Sequence, residues 1–178
     1  METLIRLVLA VILLVPYSEV FLEASEETGV PVSVLVAQAW EESKFDPLAV
    51  SREGCRGISQ FGEAAWSQFG TGDFDDAFAP KLAIPAQARY MDWIHDVIEE
   101  ESGEYRWTLV AYIWGPQRLK DFRRKGGEWE NIPWWIRDYA ENILAQSEQV
   151  IVEKELGVEI EDVRESNPPE RLPNNSPR

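Results

Sequence analysis

The segment Val32-Ser33-Val34-Leu35-Val36-Ala37-Gln38-Ala39-Trp40 sets apolar residues at Val32, Leu35, Val36 and Ala39, the i, i+3, i+4, i+7 spacing of a helix with one buried face. A stripe of this kind needs other helices to cover it. It also runs into a carboxylate. Glu42 lies seven residues past Leu35 and three past Ala39, so it continues the packed face, whereas Glu41 is turned about 100° away toward solvent. A carboxyl placed half in and half out of a core loses solvation, its charged form is disfavoured, and it can stay protonated near neutral pH as a general acid. Most of the 32 acidic residues read as solvated surface groups; Glu42 is set apart by its neighbours.

After Glu42-Ser43 the chain continues Lys44-Phe45-Asp46-Pro47-Leu48-Ala49-Val50-Ser51, then Arg52-Glu53-Gly54-Cys55-Arg56-Gly57-Ile58-Ser59-Gln60-Phe61. Asp46-Pro47 is the expected helix stop, because the residue before proline is driven out of the α region. Gly54 and Gly57 permit tight turns that fold Ser51 and Gln60 back over the glutamate, giving a polar pocket. Farther on, Ala111-Tyr112-Ile113-Trp114-Gly115-Pro116 brings a tyrosine and a glycine to a second helix end, and Ile132-Pro133 opens the last long helix. The punctuation predicts helices over 17–27, around Glu42, over 63–69, 84–101, 105–113, 116–124 and 133–155, with loops at 51–61 and 70–76. No stretch alternates convincingly as a strand, so the fold class is mainly α.

Composition narrows the function. A chain of 178 residues with 44% apolar residues holds one domain with a real core. Its eight tryptophans are expected to lie mostly in that core, with one or two left in a groove as flat surfaces for sugar rings. A net charge of −15 argues against nucleic-acid binding, which needs basic stripes to displace counterions. Binding of an anionic ligand would then depend on local donors, for which Gln60, Arg56 and Arg118 are the candidates. A single histidine, His95, and a single cysteine, Cys55, supply neither a zinc set nor a histidine-assisted nucleophile. His95 reads as a solvated or capped helix residue, and Cys55 as a small buried filler.

The ordered motifs resemble the lytic transglycosylases of the soluble-lytic-transglycosylase, goose-lysozyme-like group. That family's Glu-Ser falls on Glu42-Ser43, its Ala-x-Ser on Ala49-Val50-Ser51, its Gly-Leu-Met-Gln on Gly57-Ile58-Ser59-Gln60 and its Ala-Tyr-Asn on Ala111-Tyr112-Ile113. A helix opening similar to Ala-Ile-x-Ala-Gly-Ala-x-Tyr-Leu appears as Ala83-Ile84-Pro85-Ala86-Gln87-Ala88-Arg89-Tyr90-Met91, and the closing element as Ile132-Pro133 with Ile136-Arg137-Asp138-Tyr139-Ala140. The likeness covers roughly residues 17–144, and motifs in series are far more specific than one alone. Among the departures, Ile113 stands for an asparagine and removes an amide donor and acceptor. Ser59 for methionine and Ile136 for threonine are milder, and none touches Glu42.

The resemblance implies a lysozyme-like domain that cleaves the β-1,4 bond between N-acetylmuramic acid and N-acetylglucosamine in peptidoglycan glycan strands. Glu42 is then the catalytic acid, and Ser51, Gln60, Tyr112 and Tyr139 are the substrate-binding positions. The substrate's own 2-acetamido carbonyl takes the place of a second carboxylate, so no metal and no cofactor is required. Two other readings stay open: a hydrolytic lysozyme whose second acid is Asp46, Asp73 or Asp75, and a noncatalytic assembly protein that keeps the fold. The expected organisation is a hydrophobic segment over 1–16, the domain over 17–150 and an acidic, Pro/Asn-rich tail over 151–178. The apolar run of residues 7–15 is short for a membrane span, which needs about 20 residues; it has the length of a signal h-region but no Ala-x-Ala site. Residues 4–15 are expected to be retained as a helix buried against another chain, such as a virion or envelope protein, or against the domain itself, with a cleaved signal peptide as the alternative. Phage virion and bacterial periplasm or envelope are the settings the family allows, and Gly57-Ile58-Ser59-Gln60-Phe61 followed by Trp66, similar to virion-associated lysins, favours the phage.

Overall fold

The computed structural model describes residues 15–98 and 105–156. Among these residues seven α-helices follow in order: α1 Ser18–Thr28, α2 Val32–Ser43, α3 Glu63–Phe69, α4 Pro80–Val97, α5 Arg106–Trp114, α6 Pro116–Arg124 and α7 Trp134–Leu156. Two 3-10 turns, Phe74–Phe78 and Trp129–Asn131, join them. Among the described residues there is no strand, only the isolated bridges Val50 to Arg56 and Arg56 to Phe61 inside the loop after α2.

Helix α2 is the centre of the bundle and packs against α1, α4 and α7, while α5 bridges α4 and α7. Every residue from Ser33 to Ala39 is buried, so α2 is covered on all sides rather than on one face. Its small residues Ser33, Ala37 and Ala39 let neighbours approach closely, and Gln38 is buried with them. The core around it gathers Phe21 and Ala24 from α1, Ile84, Met91 and Ile94 from α4, Leu109 from α5, and Ile136 and Ile143 from α7. Each closely packed aliphatic side chain contributes about 1.5–3 kcal/mol on burial.

Several features differ from the sequence expectation, among them the end of α4 at Val97 rather than at 101. Helix α2 stops at Ser43, short of Asp46-Pro47, because Lys44 turns left-handed at φ 55 and Phe45 follows at φ 62. Two consecutive non-glycine residues in that region are costly, and Phe45 is held there by the rings of Phe21 and Trp40 at 6.3 and 5.5 Å. Helix α4 begins at Pro80, four residues before Ile84, and carries Pro85 inside it. Pro80 supplies the favoured first-turn proline, and the bond that Pro85 cannot donate falls toward the carbonyl of solvent-exposed Lys81. Within the expected 70–76 loop, Asp73 caps the 3-10 turn, its carboxylate accepting from the Asp75 amide at 2.8 Å.

The tryptophans are also not the core fillers expected. Trp66 is buried, whereas Trp40, Trp93, Trp134 and Trp135 are exposed and Trp107, Trp114 and Trp129 are half-buried. The centre is filled instead by Phe21, Phe61, Met91 and the buried leucines and isoleucines. The expected hydrophobic segment over 1–16 and the far part of the 151–178 tail fall largely outside the described residues; the backbone of α7 runs on to Leu156. No described helix is long and apolar enough to cross a membrane.

Candidate active site

The end of α2, the 46–62 loop, α4 and α5 enclose a cleft of about 300 Å³. Its walls bring together Glu42, Ser51, Gln60 and Tyr112, four of the positions that the resemblance singles out, with Tyr90 and Ile113 beside them. The loop is pinned from several sides. Ser43 Oγ donates to the Ile58 carbonyl at 2.8 Å, the Gly57 amide to Ala49 at 2.9 Å, and the Tyr112 hydroxyl to the Ser59 carbonyl at 2.9 Å. Gly57 is required twice over: its φ is 75, and an added Cβ would collide with the Ala77 carbonyl.

Glu42 is half-buried, and its carboxylate oxygen Oε1 accepts from the Tyr139 hydroxyl at 2.6 Å. Burial pushes its carboxyl from 4.5 up to about 7; the Tyr139 hydrogen bond opposes that rise and the charge of Glu41 adds to it. Burial and then the Glu42 charge push the Tyr112 and Tyr139 hydroxyls well above their ordinary value, so both remain protonated donors. Glu41 faces elsewhere, paired with Lys44 at 3.1 Å. A carboxyl poised near 7 and opening on a cleft is able to give a proton to a leaving oxygen and to take one back.

The other expected site residues divide by their partners. Ser51 Oγ accepts from the Cys55 amide at 3.1 Å, which leaves its hydrogen for a ligand. Gln60 spends its amide nitrogen on the carbonyls of Ala49 and Gly57 at 3.2 and 3.0 Å, so its carbonyl oxygen is the group offered to the cleft. Tyr139 stands behind Glu42 rather than on the cleft wall. Arg56 and Arg118, expected as groove donors, are engaged elsewhere: Arg56 pairs with Asp75 and lies over Phe74 at 4.2 Å, and Arg118 lies over Trp114 at 4.7 Å. Cys55, expected as buried filler, is half-buried on the cleft wall. His95 shares a 3.0 Å hydrogen bond with Thr108 Oγ1 and stacks on Tyr105.

Some members of the site escaped the sequence reading. Glu53 lines the cleft, whereas Asp46, Asp73 and Asp75 do not, so a second acid would come from the glycine turn. Behind Tyr139 lie Gln38 and Gln87, both fully buried, with the equally buried Ser59 beyond them. A glutamine inside the stripe of α2 and another between Ala86 and Ala88 were the available signals, since buried amides demand partners. Among the described residues no group of three metal-ligating side chains comes together.

The sequence profile of the family described as the Transglycosylase SLT domain matches residues 19–134. This chain belongs to that family. The match includes Glu42, Ser51, Gln60 and Tyr112 and ends before Tyr139. The chain is 30% identical over 135 residues to the peptidoglycan transglycosylase gp16 of Escherichia phage T7, covering 72% of this chain and 10% of that protein. It is 37% identical over 111 residues to a membrane-bound lytic murein transglycosylase F of Alkalilimnicola ehrlichii, 61% of this chain and 22% of that one. The SLT domain here thus spans a quarter or less of these relatives. In fold it is similar to the 70 kDa soluble lytic transglycosylase of Escherichia coli, with a TM-score of 0.65 at 21% identity over 75% of this chain and 24% of the other.

Proposed function

We propose that this chain is a peptidoglycan lytic transglycosylase acting on the bond between N-acetylmuramic acid and N-acetylglucosamine. The observation that carries the reading is the Glu42 carboxyl at the end of the central helix, held protonated to about 7 and open to the cleft, in a member of the SLT family. Glu42 protonates the leaving oxygen while the 2-acetamido carbonyl of the substrate attacks the anomeric carbon. The ionised Glu42 then removes the proton of the 6-hydroxyl, which closes a 1,6-anhydro ring and returns the acid to its starting state. Ser51 donates to the acetamido group, Gln60 and Tyr112 fix the loop that lines the sugar site, and Tyr139 holds the carboxylate. No step calls on a metal or cofactor.

The relatives named for peptidoglycan and murein support this substrate. A phage setting, in which residues 4–15 dock the domain on a virion protein, is the finer form of the proposal, and likeness to a phage transglycosylase supports it. Peptide mapping of purified virions against host envelope fractions tests that setting; recovery from envelopes alone overturns it. Hydrolysis is the second reading, favoured by the presence of Glu53 in the cleft as a possible base for water. Mass spectrometry of muropeptides after digestion separates the two. Anhydro ends are expected; reducing ends would assign the chain as a hydrolase and uncut glycan would refute catalysis.

A further inference from the structure

Behind the Glu42 carboxylate runs a chain of side-chain hydrogen bonds that starts at the fully buried Ser59, Gln87 and Gln38 and reaches the acid through Tyr139. Ser59 Oγ donates to Gln87 Oε1 at 2.8 Å, Gln87 Nε2 donates to Gln38 Oε1 at 2.8 Å, Gln38 Nε2 donates to the Tyr139 hydroxyl at 3.3 Å, and Tyr139 donates to Glu42 at 2.6 Å. Its direction is fixed by the backbone. Gln87 Nε2 also donates to the Leu35 carbonyl at 3.1 Å, and a carbonyl can only accept. The nitrogen of Gln87 must therefore face α2, and Gln38 must turn its oxygen toward Gln87 and its nitrogen toward Tyr139. With a lone pair already engaged by Gln38, the Tyr139 hydroxyl keeps its hydrogen for Glu42. Ser59 and Gln87 are both departures from the family strings quoted above, serine for methionine and glutamine for glycine, and they meet each other at 2.8 Å.

We propose that Gln38, Gln87 and Ser59 form a one-way relay of positioning residues that commits the Tyr139 hydroxyl to Glu42 and thereby orients the acid for both proton transfers. The inference rests on the proposed role of Glu42. Ser59 sits in the cleft loop, whose backbone Tyr112 also holds, so the relay ties the sugar-binding loop on one side of the bundle to the acid on α2 and its clamp on α7. All three residues are fully buried. A broken link leaves an unpaired amide or carbonyl in a low-dielectric interior, where a fully satisfied network is rigid and a partly satisfied one is not.

The test uses the full chain and four variants, Gln38→Met, Ser59→Ala, the double variant and Glu42→Gln. The titratable groups around Glu42 are Tyr139 from α7, which bonds it, the neighbouring Glu41, which turns away toward Lys44 but adds its charge, and the cleft-lining Tyr112 from α5, Tyr90 from α4, and Glu53 and Cys55 from the loop; all are left unchanged in the relay variants. Gln38→Met is expected to lower kcat on purified glycan strands about tenfold with KM changed less than about twofold, since the relay touches no substrate. The Tyr139 bond favours the ionised carboxylate, so loosening it raises the Glu42 pKa and moves the alkaline limb of kcat/KM up by about half a pH unit. Ser59→Ala should shift both quantities in the same sense by less, and the double variant should be no worse than Gln38→Met, as expected of residues acting as a unit. Carboxyl NMR titration of Glu42, assigned by the resonance that Glu42→Gln removes, reports the same shift without turnover. Lower melting points with kcat, alkaline limb and titration all as in the wild type would overturn the relay. If Gln38→Met fails to fold, Ser59→Ala decides alone. Should the wild type cut no glycan, the role of Glu42 as catalyst fails and the titration still judges the relay.

Discussion

Glu42 and Glu41 are adjacent acids with the same intrinsic chemistry, and the turn of one helix gives them different roles. Glu42 loses water and gains a phenol at 2.6 Å, whereas Glu41 meets Lys44 at the surface. Glu42→Gln keeps the shape and removes the transferable proton, so the rate on peptidoglycan should fall by about two orders of magnitude or more, the worth of general acid/base catalysis. Glu41→Gln should change it by less than about threefold, because an exposed pair contributes little; reversed effects in initial-rate assays would put the acid on the wrong residue. Ile113 is 40% exposed on the cleft wall, so Ile113→Asn restores an amide without opening a core cavity. It should lower KM by about three- to tenfold, the value of one or two good hydrogen bonds, and a large loss of activity in the same kinetics would mark that position as a packing residue. At this scale Glu42 was legible because the apolar period points straight at it. Gln38 and Gln87 were not, since an amide in an apolar stripe announces a partner without naming it, and their partners are 101 and 49 positions away in sequence.

Helices α3 and α6 keep the bounds that their flanking glycine and proline dictate, and α1 closes on Gly29 at φ 79. Of the misplaced boundaries, the start of α4 follows the local proline Pro80, whereas the end of α2 is decided by contacts from elsewhere in the bundle. Lys44 and Phe45 end α2 in a conformation that no local preference selects, and aromatic packing from α1 holds it. The same tertiary control shapes the loop that forms the cleft, with Gly57 as its tightest point. Gly57→Ala adds a methyl group against the Ala77 carbonyl at a φ of 75. The expected cost is about 2–3 kcal/mol, the usual size of local backbone strain plus overpacking. Thermal unfolding should show that loss, together with a fall in activity larger than stability alone explains, because Ser51 and Gln60 move with the loop. Unchanged melting would mean that the loop yields freely and is not a rigid wall.

For the whole molecule, the net charge of −15 disfavours compaction more as pH rises, and the buried acid adds its own term of the same sign. The Glu42 carboxyl has a folded value of about 7 against 4.5 when solvated. Below the lower value both states carry the proton and the folded state suffers nothing. Between the two, the unfolded chain releases its proton while the folded one retains it, so stability declines with pH until the folded group also ionises, at about 7. A difference of this size corresponds to at most about 3 kcal/mol. Glutamine at the same position is neutral at every pH and accepts the same Tyr139 hydrogen bond. Glu42→Gln should therefore match the wild type in melting temperature near pH 4.5 and exceed it by several degrees at pH 8, where about 3 kcal/mol moves a domain of this size by that much. Taking the difference between the two proteins at each pH cancels the titration of the other acids. A gap that stays constant from pH 4.5 to 8 would show that Glu42 titrates as a solvated carboxyl, which would withdraw the physical basis for its role as an acid at neutral pH.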